Sequence, residues 1–594
     1  MSGELVELAK RRGFFFQSSE AYGGVAGFYT YGPQGATLKQ KIEDRWRERF
    51  STKEGHTEIS APTVMPEPVF EASGHLEGFS DMLVECPECG ESHRADHLIE
   101  DNTGIEEAEG LPIPEVEMLV EEHDLRCPSC DAALAGEEVE DFNLMFETSI
   151  GPGSGQPGYL RPETAQGIFV EFPRLKEYAR EQLPFGVTQI GPAYRNEISP
   201  RHALLRTREF TQAELELFVD PETDEPDVSK VADVELTLYP ADEQGEHDDP
   251  EEGYVRTTAG EAAGDLVESW VCYHLGLAKQ WFERVGFDME RFRFRQHQAG
   301  ERAHYAEDCW DAEAEVDGDW IEIAGFAYRG DYDLSKHGEH SEENFTVFKQ
   351  YDEPKRVERA TVDPDMSYLG PEFGGQAQEV ADALERLAER DRSAFEGEEV
   401  TVSVDTDEGT SSSPQSSTED GEGYTIPVEK TGFRVEEVTE SGTHITPHVI
   451  EPSFGVDRVV YTVLAHAYDT DEVGGEERSV LRLDPEVAPT FVGVFPLMDK
   501  DGLGERAREL TEELRETGFE VAYDDSGNIG RRYRRQDEVG TPFCVTVDYE
   551  SLEEDPETVT LRERDSTDQV RVPTDELADT LAALRAGETD FDDL

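Results

Sequence analysis

Residues 195–219 read RNEISPRHALLRTREFTQAELELFV, and the second half of that stretch alternates. Thr211, Ala213, Leu215, Leu217 and Val219 fall on one face of an extended strand, while Arg208, Phe210, Gln212, Glu214 and Glu216 fall on the other. The second face carries too much charge for core and too much order for loop. Val187 to Glu197 supplies a partner strand with Arg195 and Glu197 on one side, and the connector between the two holds Pro200, Arg201, His202 and Arg206. The pattern predicts an antiparallel pair whose polar face presents arginines, one aromatic ring and carboxylates. Those groups suit a triphosphate, an adenine and an ammonium.

The chain around this pair has 594 residues, too many for one ordinary core, so two or three domains are expected. A formal charge of -82 ordinarily argues against a nucleic-acid partner. Here the acids are spread over nearly every segment and arginine outnumbers lysine, which points to a surface adapted to high salt. At about 1 M ionic strength the Debye length is ~3 Å, so a local arginine patch can still bind phosphate. Seven cysteines in a chain this long do not make a disulfide framework, and they suit a reducing compartment. No apolar stretch reaches ~18 residues, and the N-terminus MSGELVELAKRRG lacks a secretory core. A cytoplasmic protein without a membrane span is expected.

Leu5 and Leu8 predict a short helix ending near Gly13, after which Phe14, Phe15 and Phe16 enter a glycine-rich loop. Leu38, Ile42, Trp46 and Phe50 recur every four residues and predict a helix from about Thr37 to Phe50. Cys86-x2-Cys89 and Cys127-x2-Cys130 form two knuckles whose four thiolates can hold one tetrahedral, structural Zn2+. This staple falls in an acidic insertion over 84–133 that would otherwise bury little. His297 and His304 have no companion cluster in sequence and are left out of the metal set. Cys272, Cys309 and Cys544 have no paired spacing and are expected at small core positions.

Two further stretches complete the pattern: Tyr159-Leu-Arg-Pro-Glu163-Thr-Ala-Gln166-Gly, a low-acidity island, and Glu451-Pro-Ser-Phe-Gly-Val-Asp-Arg458 before an apolar helix through Val459, Val460, Val463 and Leu464. Together with Tyr194-Arg195-Asn196-Glu197 and Arg208-Glu209-Phe210, the sequence resembles the glycyl-tRNA synthetases of the archaeal/eukaryotic-like homodimeric kind, which are class II aminoacyl-tRNA synthetases. The resemblance implies an α+β fold: an antiparallel-sheet catalytic domain over 1–482, with a zinc-binding insertion at 84–133 and a polar insertion or linker at 376–427. A small α/β anticodon-binding domain over 483–594 follows it. It also implies a homodimer built through the helix at 37–50, although a buried aromatic cluster explains those residues equally well.

By the same resemblance, Arg195, Arg458 and Glu322 are the catalytic set. ATP is held by Arg195, Asn196, Glu197, Leu205, Arg206, Thr207, Arg208, Glu209, Phe210, Glu322, Ile323, Gly455, Val456, Asp457 and Arg458. Glycine is held by Arg94, Glu163, Phe210, Thr211, Gln212, Ala213, Glu214, Glu451, Pro452, Ser453, Phe454 and Gly455. Arg195 faces the α-phosphate, Phe210 stacks on adenine, Arg458 grips the far phosphate, and Glu322 can coordinate Mg2+. A guanidinium offers a rigid donor fork for the oxygens that gather charge as pyrophosphate leaves. Glu163, Glu214 and Glu322 neutralise the ammonium of glycine, which a closed cavity can select because no smaller standard amino acid competes. Ser453 sits outside any Gly-x-Ser-x-Gly motif and lines the pocket. No Walker cradle of the Gly-x4-Gly-Lys-Ser/Thr type is present.

In the last hundred residues, strand and helix patterns alternate from Phe491 to Val547, and Arg531, Arg532, Arg534 and Arg535 cluster on one predicted helix. They suit contact with tRNA. The implied activity is activation of glycine with ATP and esterification of tRNA(Gly). A class II synthetase for another small amino acid and a catalytically silent RNA-binding accessory protein are the alternatives.

Overall fold

The computed structural model describes residues 2–103, 105, 108–153, 155–200, 203–247, 249–298, 308–404, 422–553 and 556–594. Arg201, His202, His304 and the serine-rich stretch within 405–421 lie outside the described residues. The chain divides into two compact units, Met1–Phe345 with Thr446–Leu594, and Thr346–Ile445.

A nine-stranded sheet organises the larger unit. In chain order its strands are β1 (Thr57–Glu58), β2 (Phe185–Tyr194), β3 (Glu209–Val219), β4 (Glu235–Tyr239), β5 (Val255–Thr258), β6 (Phe292–Gln296), β7 (Asp308–Val316), β8 (Asp319–Gly330) and β9 (His448–Gly455). They lie in the order β5-β4-β6-β7-β8-β9-β3-β2-β1, with parallel pairing only at β2–β1 and β4–β6. The expected β2–β3 pair is antiparallel along its whole length, from Phe185 opposite Phe218 to Tyr194 opposite Glu209.

Ala213, Leu215, Leu217 and Val219 are buried on the apolar face of β3. That face packs in one core with the helices α1 (Pro33–Trp46), α2 (Ser269–Arg284) and α3 (Val456–Ala467). Phe454 of β9 is the hub: the rings of Trp46, Phe50, Trp281, Phe282 and Phe326 have centroids 4.9 to 5.9 Å from its own. Such aromatic contacts add to the apolar area they remove from water.

Three expectations change here. The charged face of β3 is core, not surface: Glu214 is 1 % and Glu216 0 % exposed, because the segment around Ala165–Phe169 packs over it. The stripe of Leu38, Ile42, Trp46 and Phe50 is buried in this chain's own core, so those side chains are not a surface for a second copy. Phe15 and Phe16 are not loop. They start a strand, Phe15–Gln17, that pairs with Tyr29–Tyr31. Close packing is needed beside it: a Cβ on Gly35 would lie 1.8 Å from the carbonyl oxygen of Phe14.

The cysteine-bearing insertion has more core than its acidity suggests. A three-stranded sheet (Ser80–Glu85, Ser92–Arg94, Val139–Asn143) and two helices (Ala95–Thr103, Ile113–Glu122) bury Val84, Ile99, Val116, Val120 and Leu134. The second unit corrects the polar-linker reading of 376–427. A ribbon of Val347–Thr361 and Arg434–Ile445 carries a helix, Ala377–Arg390, and a hairpin, Glu399–Val404 with Glu422–Pro427. Val380, Leu384, Phe395, Val400 and Ile426 are buried in it, so the described part is a folded body with its own core.

After α3 comes a hairpin of β10 (Tyr468–Val473) and β11 (Glu476–Leu481). The C-terminal sheet then holds β12 (Val492–Pro496), β13 (Val521–Tyr523), β14 (Phe543–Val547), β15 (Thr558–Glu563) and β16 (Gln569–Pro573) in the order β13-β12-β14-β15-β16. Helix α4 (Leu503–Glu516) buries Leu503, Ala507, Leu510 and Leu514, as their spacing on one helical face predicts. Helix α5 (Ile529–Asp537) follows β13. The hairpin is tied to this body by ions: the buried guanidinium of Arg478 pairs with Asp471, reaches Asp537 at 3.3 Å and donates to the carbonyl of Arg564 at 2.7 Å.

Candidate active site

Directly opposed residues of neighbouring strands point to the same side of a sheet. Glu214 of β3 faces Ser453 of β9, Ser453 faces Gly325 of β8, and Gly325 faces Asp311 of β7. Ser453 and Gly325 of this row line the cavity, and Glu214 is bonded to Ser453 beneath it. Glu214 accepts hydrogen bonds from Ser453 Oγ at 2.7 Å, Gln212 Nε2 at 2.9 Å and the Thr164 hydroxyl. Glu163 accepts from Gln166 Nε2 at 2.9 Å and lies 3.6 Å from His75 Nε2. Two residues from Ser453 along β9, Glu451 accepts from Arg329 Nη1 at 2.8 Å, while the rest of that guanidinium grips Asp333 at 2.7 and 2.9 Å. Neither oxygen of the fully buried Glu216 has a hydrogen-bond partner among the described residues.

Carboxyl groups therefore outnumber guanidinium groups on the floor. Burial raises Glu163, but His75, Arg329 and Gln166 outweigh it and hold its carboxyl below the usual range. Burial, with Glu163 close by, pushes Glu214 up. Burial also lifts Glu451 to about 8 against the pull of Arg329, and it lifts Glu216 well above the carboxylate range with Glu451 adding to the effect. A cation entering here meets an ionised Glu163 and neighbouring carboxyls that can release protons to balance it.

The arginines gather at the mouth. The Arg195 guanidinium lies over the rings of Phe79 and Phe210, 5.4 Å from each centroid, with Nε 3.4 Å from the carbonyl of Pro162. Arg206 Nε bonds Glu197 at 2.5 Å, and Arg458, in the first turn of α3, donates to Leu205 O at 3.1 Å and Glu322 O at 2.8 Å. Its charge, 3.3 Å from the Glu322 carboxylate, leads in lowering that group's pKa. Arg195, Glu197, Arg206, Phe210, Glu322 and Arg458 line an inner cavity of about 170 Å³ that also exposes Ser453, Gly455, Thr211 and Gln212. All but Phe210 of that first group also line an outer basin of about 890 Å³. The α3 amino end adds a favourable field for an anion.

Several sequence-predicted residues stand elsewhere. The side chains of Ala213 and Phe454 point into the apolar core, on the face away from Glu214 and Ser453, because strand side chains alternate. Val456 is likewise core. Arg208 turns from the cavity to the backbone carbonyls of Glu197 and Ala26, at 3.0 and 3.2 Å, and holds that loop. Glu209 is exposed at the start of β3, and the backbone N–H of Asn196 donates to Leu144 O. Arg94 lines the outer basin, paired with Asp81 and Asp96, and Glu322 stands at the mouth, not beside Glu163 and Glu214. Asp457 accepts from the Tyr31 hydroxyl and the Thr211 N–H, and so fixes α3 against β3. Leu205, Thr207 and Ile323 line the inner cavity, and Pro452 lies between Glu451 and Ser453 on β9.

The sequence reading missed His75, Phe79 and Arg329, and placed Glu216 on the polar face of β3 without a role. His75 and Phe79 come from a segment with no motif. For Arg329 there was a partial signal: it falls on the face of Gly325 and Ala327 along one strand, with Asp333 four residues on, but its approach to Glu451 depends on the register with β9.

The Sγ atoms of Cys86, Cys89, Cys127 and Cys130 all lie within 4.8 Å of one another, a spread that four ligands of one ion require. Among the α5 arginines, Arg532 is buried on the carbonyls of Asp525 and Gly527, and Arg535 pairs with Asp524. Only Arg531 and Arg534 of the four line the groove of about 570 Å³ beside the β10–β11 hairpin. Among the described residues no helix is long and apolar enough to cross a membrane.

Residues 154–240 match the family model for the tRNA synthetase class II core domain (G, H, P, S and T), and residues 492–584 match the anticodon binding domain. The chain is 48 % identical to a glycine–tRNA ligase of Methanothrix thermoacetophila, over 99 % of this chain and 98 % of that one. It is also 48 % identical to one of Methanothermobacter thermautotrophicus, over 97 % and 98 %, and 46 % identical to one of Archaeoglobus fulgidus, over 99 % and 98 %.

Proposed function

The chain belongs to the glycine–tRNA ligase family of class II synthetases, and from that premise we infer how its cavity divides the work. It activates glycine with ATP to glycyl-adenylate and pyrophosphate, then esterifies the 3′ end of tRNA(Gly). Full-length likeness to several such ligases disfavours both alternatives, another amino acid and a silent RNA-binding protein.

The observation that carries the assignment of roles is the polarity of the cavity: a carboxylate floor behind an arginine mouth. The glycine ammonium goes to Glu163 and Glu214, with Ser453 and Gln212 fixing Glu214 in place. That leaves the glycine carboxylate facing Arg195. Its oxygen attacks the α-phosphorus, the bond to the pyrophosphate oxygen breaks, and charge collects on oxygens that Arg195 can reach. Phe210 and Phe79 hold the guanidinium from both sides. Arg206 and Arg458 take the far phosphates, and Glu322, kept ionised by Arg458, would hold the Mg2+ that accompanies ATP and offsets its charge. No side-chain base is needed, since the attacking carboxylate is already ionised and alignment supplies much of the barrier reduction. In the second step a ribose hydroxyl of the tRNA attacks the glycyl carbonyl and AMP leaves.

Cys86, Cys89, Cys127 and Cys130 would hold a structural Zn2+, which crosslinks the two knuckles and leaves no position open for chemistry. The tRNA contacts the C-terminal body through Arg531 and Arg534. The protein works as a cytoplasmic homodimer in high salt, a reading supported by its composition and family. Amino-acid-dependent ATP–pyrophosphate exchange in multimolar KCl is the test: exchange with glycine alone is expected, and exchange with another amino acid would overturn the assignment.

A further inference from the structure

His297 and Cys309 looked unrelated in sequence, yet the sheet brings them together. The N–H of His297, just past β6, donates to the carbonyl of Cys309 at 3.0 Å, so the two residues are cross-strand neighbours. Asp311 lies two residues further along β7, on the same face, and its Oδ2 is 2.7 Å from His297 Nε2. A ring nitrogen, the Cys309 Sγ and a carboxylate oxygen lie within 4.8 Å of one another, one of two such groups among the described residues. Unlike Cys272 and Cys544, which are buried, Cys309 is only partly so. Asp311 also ends the row that runs through Gly325 and Ser453 to Glu214. Gly325 lines the inner cavity and has no side chain to separate Asp311 from it.

We propose that His297, Cys309 and Asp311 hold a zinc-class divalent ion at the edge of the active cavity. Imidazole, thiolate and carboxylate are the donors such an ion takes, and three protein ligands leave one tetrahedral position open, whereas the four-thiolate cluster leaves none. His297 and Asp311 must part slightly, since ligands about 2.1 Å from a tetrahedral ion stand roughly 3.4 Å from each other. Binding displaces the thiol proton of Cys309 and the proton between His297 and Asp311 to solvent. The open position takes a water, or an oxygen or nitrogen donor of a molecule in the cavity.

The test is metal stoichiometry, which does not depend on glycine activation. The full chain, loaded with excess Zn2+ in multimolar KCl and gel-filtered, is expected to carry two ions. Cys309→Ser and His297→Gln should each carry one, and Cys86→Ser should lose the other. Loaded with Co2+, the Cys86→Ser protein should show thiolate-to-cobalt absorption in the near ultraviolet that Cys309→Ser, added to it, removes. A wild-type protein with one ion or none, or two ions retained in both Cys309→Ser and His297→Gln, overturns the proposal. Should Cys309→Ser not fold, His297→Gln and the wild-type count decide alone.

Discussion

The floor and the mouth of the cavity use the same two residue types in different proportions. At the mouth, Arg195, Arg206 and Arg458 face three nearby carboxylates, Asp81, Glu197 and Glu322, and open on a basin of about 890 Å³. On the floor, Arg329 and Arg161 stand among Glu214, Glu216, Glu451 and Asp333, and all of them are buried. Charge in the open is adjusted by water and salt, while charge in the interior is adjusted by protons. The mouth can therefore receive a polyanion without reorganising the protein. The floor is an acid store that a small cation can discharge.

The sharpest way to break this contrast is Arg195→Ala. Glycine-dependent pyrophosphate exchange should fall by about 10³-fold, the scale for losing a preorganised donor at the reacting oxygens. The thermal midpoint should stay close to wild type, because this side chain is stacked and half-buried, not ion-paired in the core. An equal loss of stability would mean that Arg195 is structural.

Glu214→Gln comes next. It keeps the shape of the residue and removes the charge, so the KM for glycine should rise about 10²-fold, the equivalent of roughly 3 kcal/mol for a charge-assisted bond. The KM for ATP should hardly change. A comparable change for ATP would erase the division between floor and mouth.

The smallest effect is expected from Glu216→Gln, and it is a gain. The folded pKa of Glu216 is raised by burial, so its share of stability is fully present below the unfolded value of about 4.3 and is lost as pH rises toward the folded value. The amide has nothing to ionise. At pH 8 the variant should be more stable by about 1–2 kcal/mol, and its stability should slope less between pH 5 and 8 in denaturant titrations. Equal slopes would mean that Glu216 is ionised in the folded protein.

Much of this was legible beforehand. The alternation over 209–219 predicted strand, register face and the companions of Glu214, and the apolar spacing over 503–514 predicted α4. Burial of the charged face was not legible, since what covers Glu214 and Glu216 comes from the distant segment around Ala165–Phe169. Composition misled in the same way over 376–427, where polar side chains coat a hairpin and helix whose few apolar positions, Val380, Leu384, Val400 and Ile426, are all buried. Arg208 shows the limit of a motif: it fixes the residue type but not the direction in which the side chain turns.

The buried guanidinium of Arg478 bears on how this protein can be recombined. Its partners Asp537 and the carbonyl of Arg564 lie in the C-terminal body, while Asp471 lies across the turn of its own hairpin. Residue 483 looks like a natural seam, but a crossover there would graft Asp537 onto a foreign hairpin with Arg562 as its remaining arginine. The heritable cassette thus begins at β10, some fifteen residues upstream, and ancestral exchanges of anticodon-reading parts would leave their scars before Tyr468.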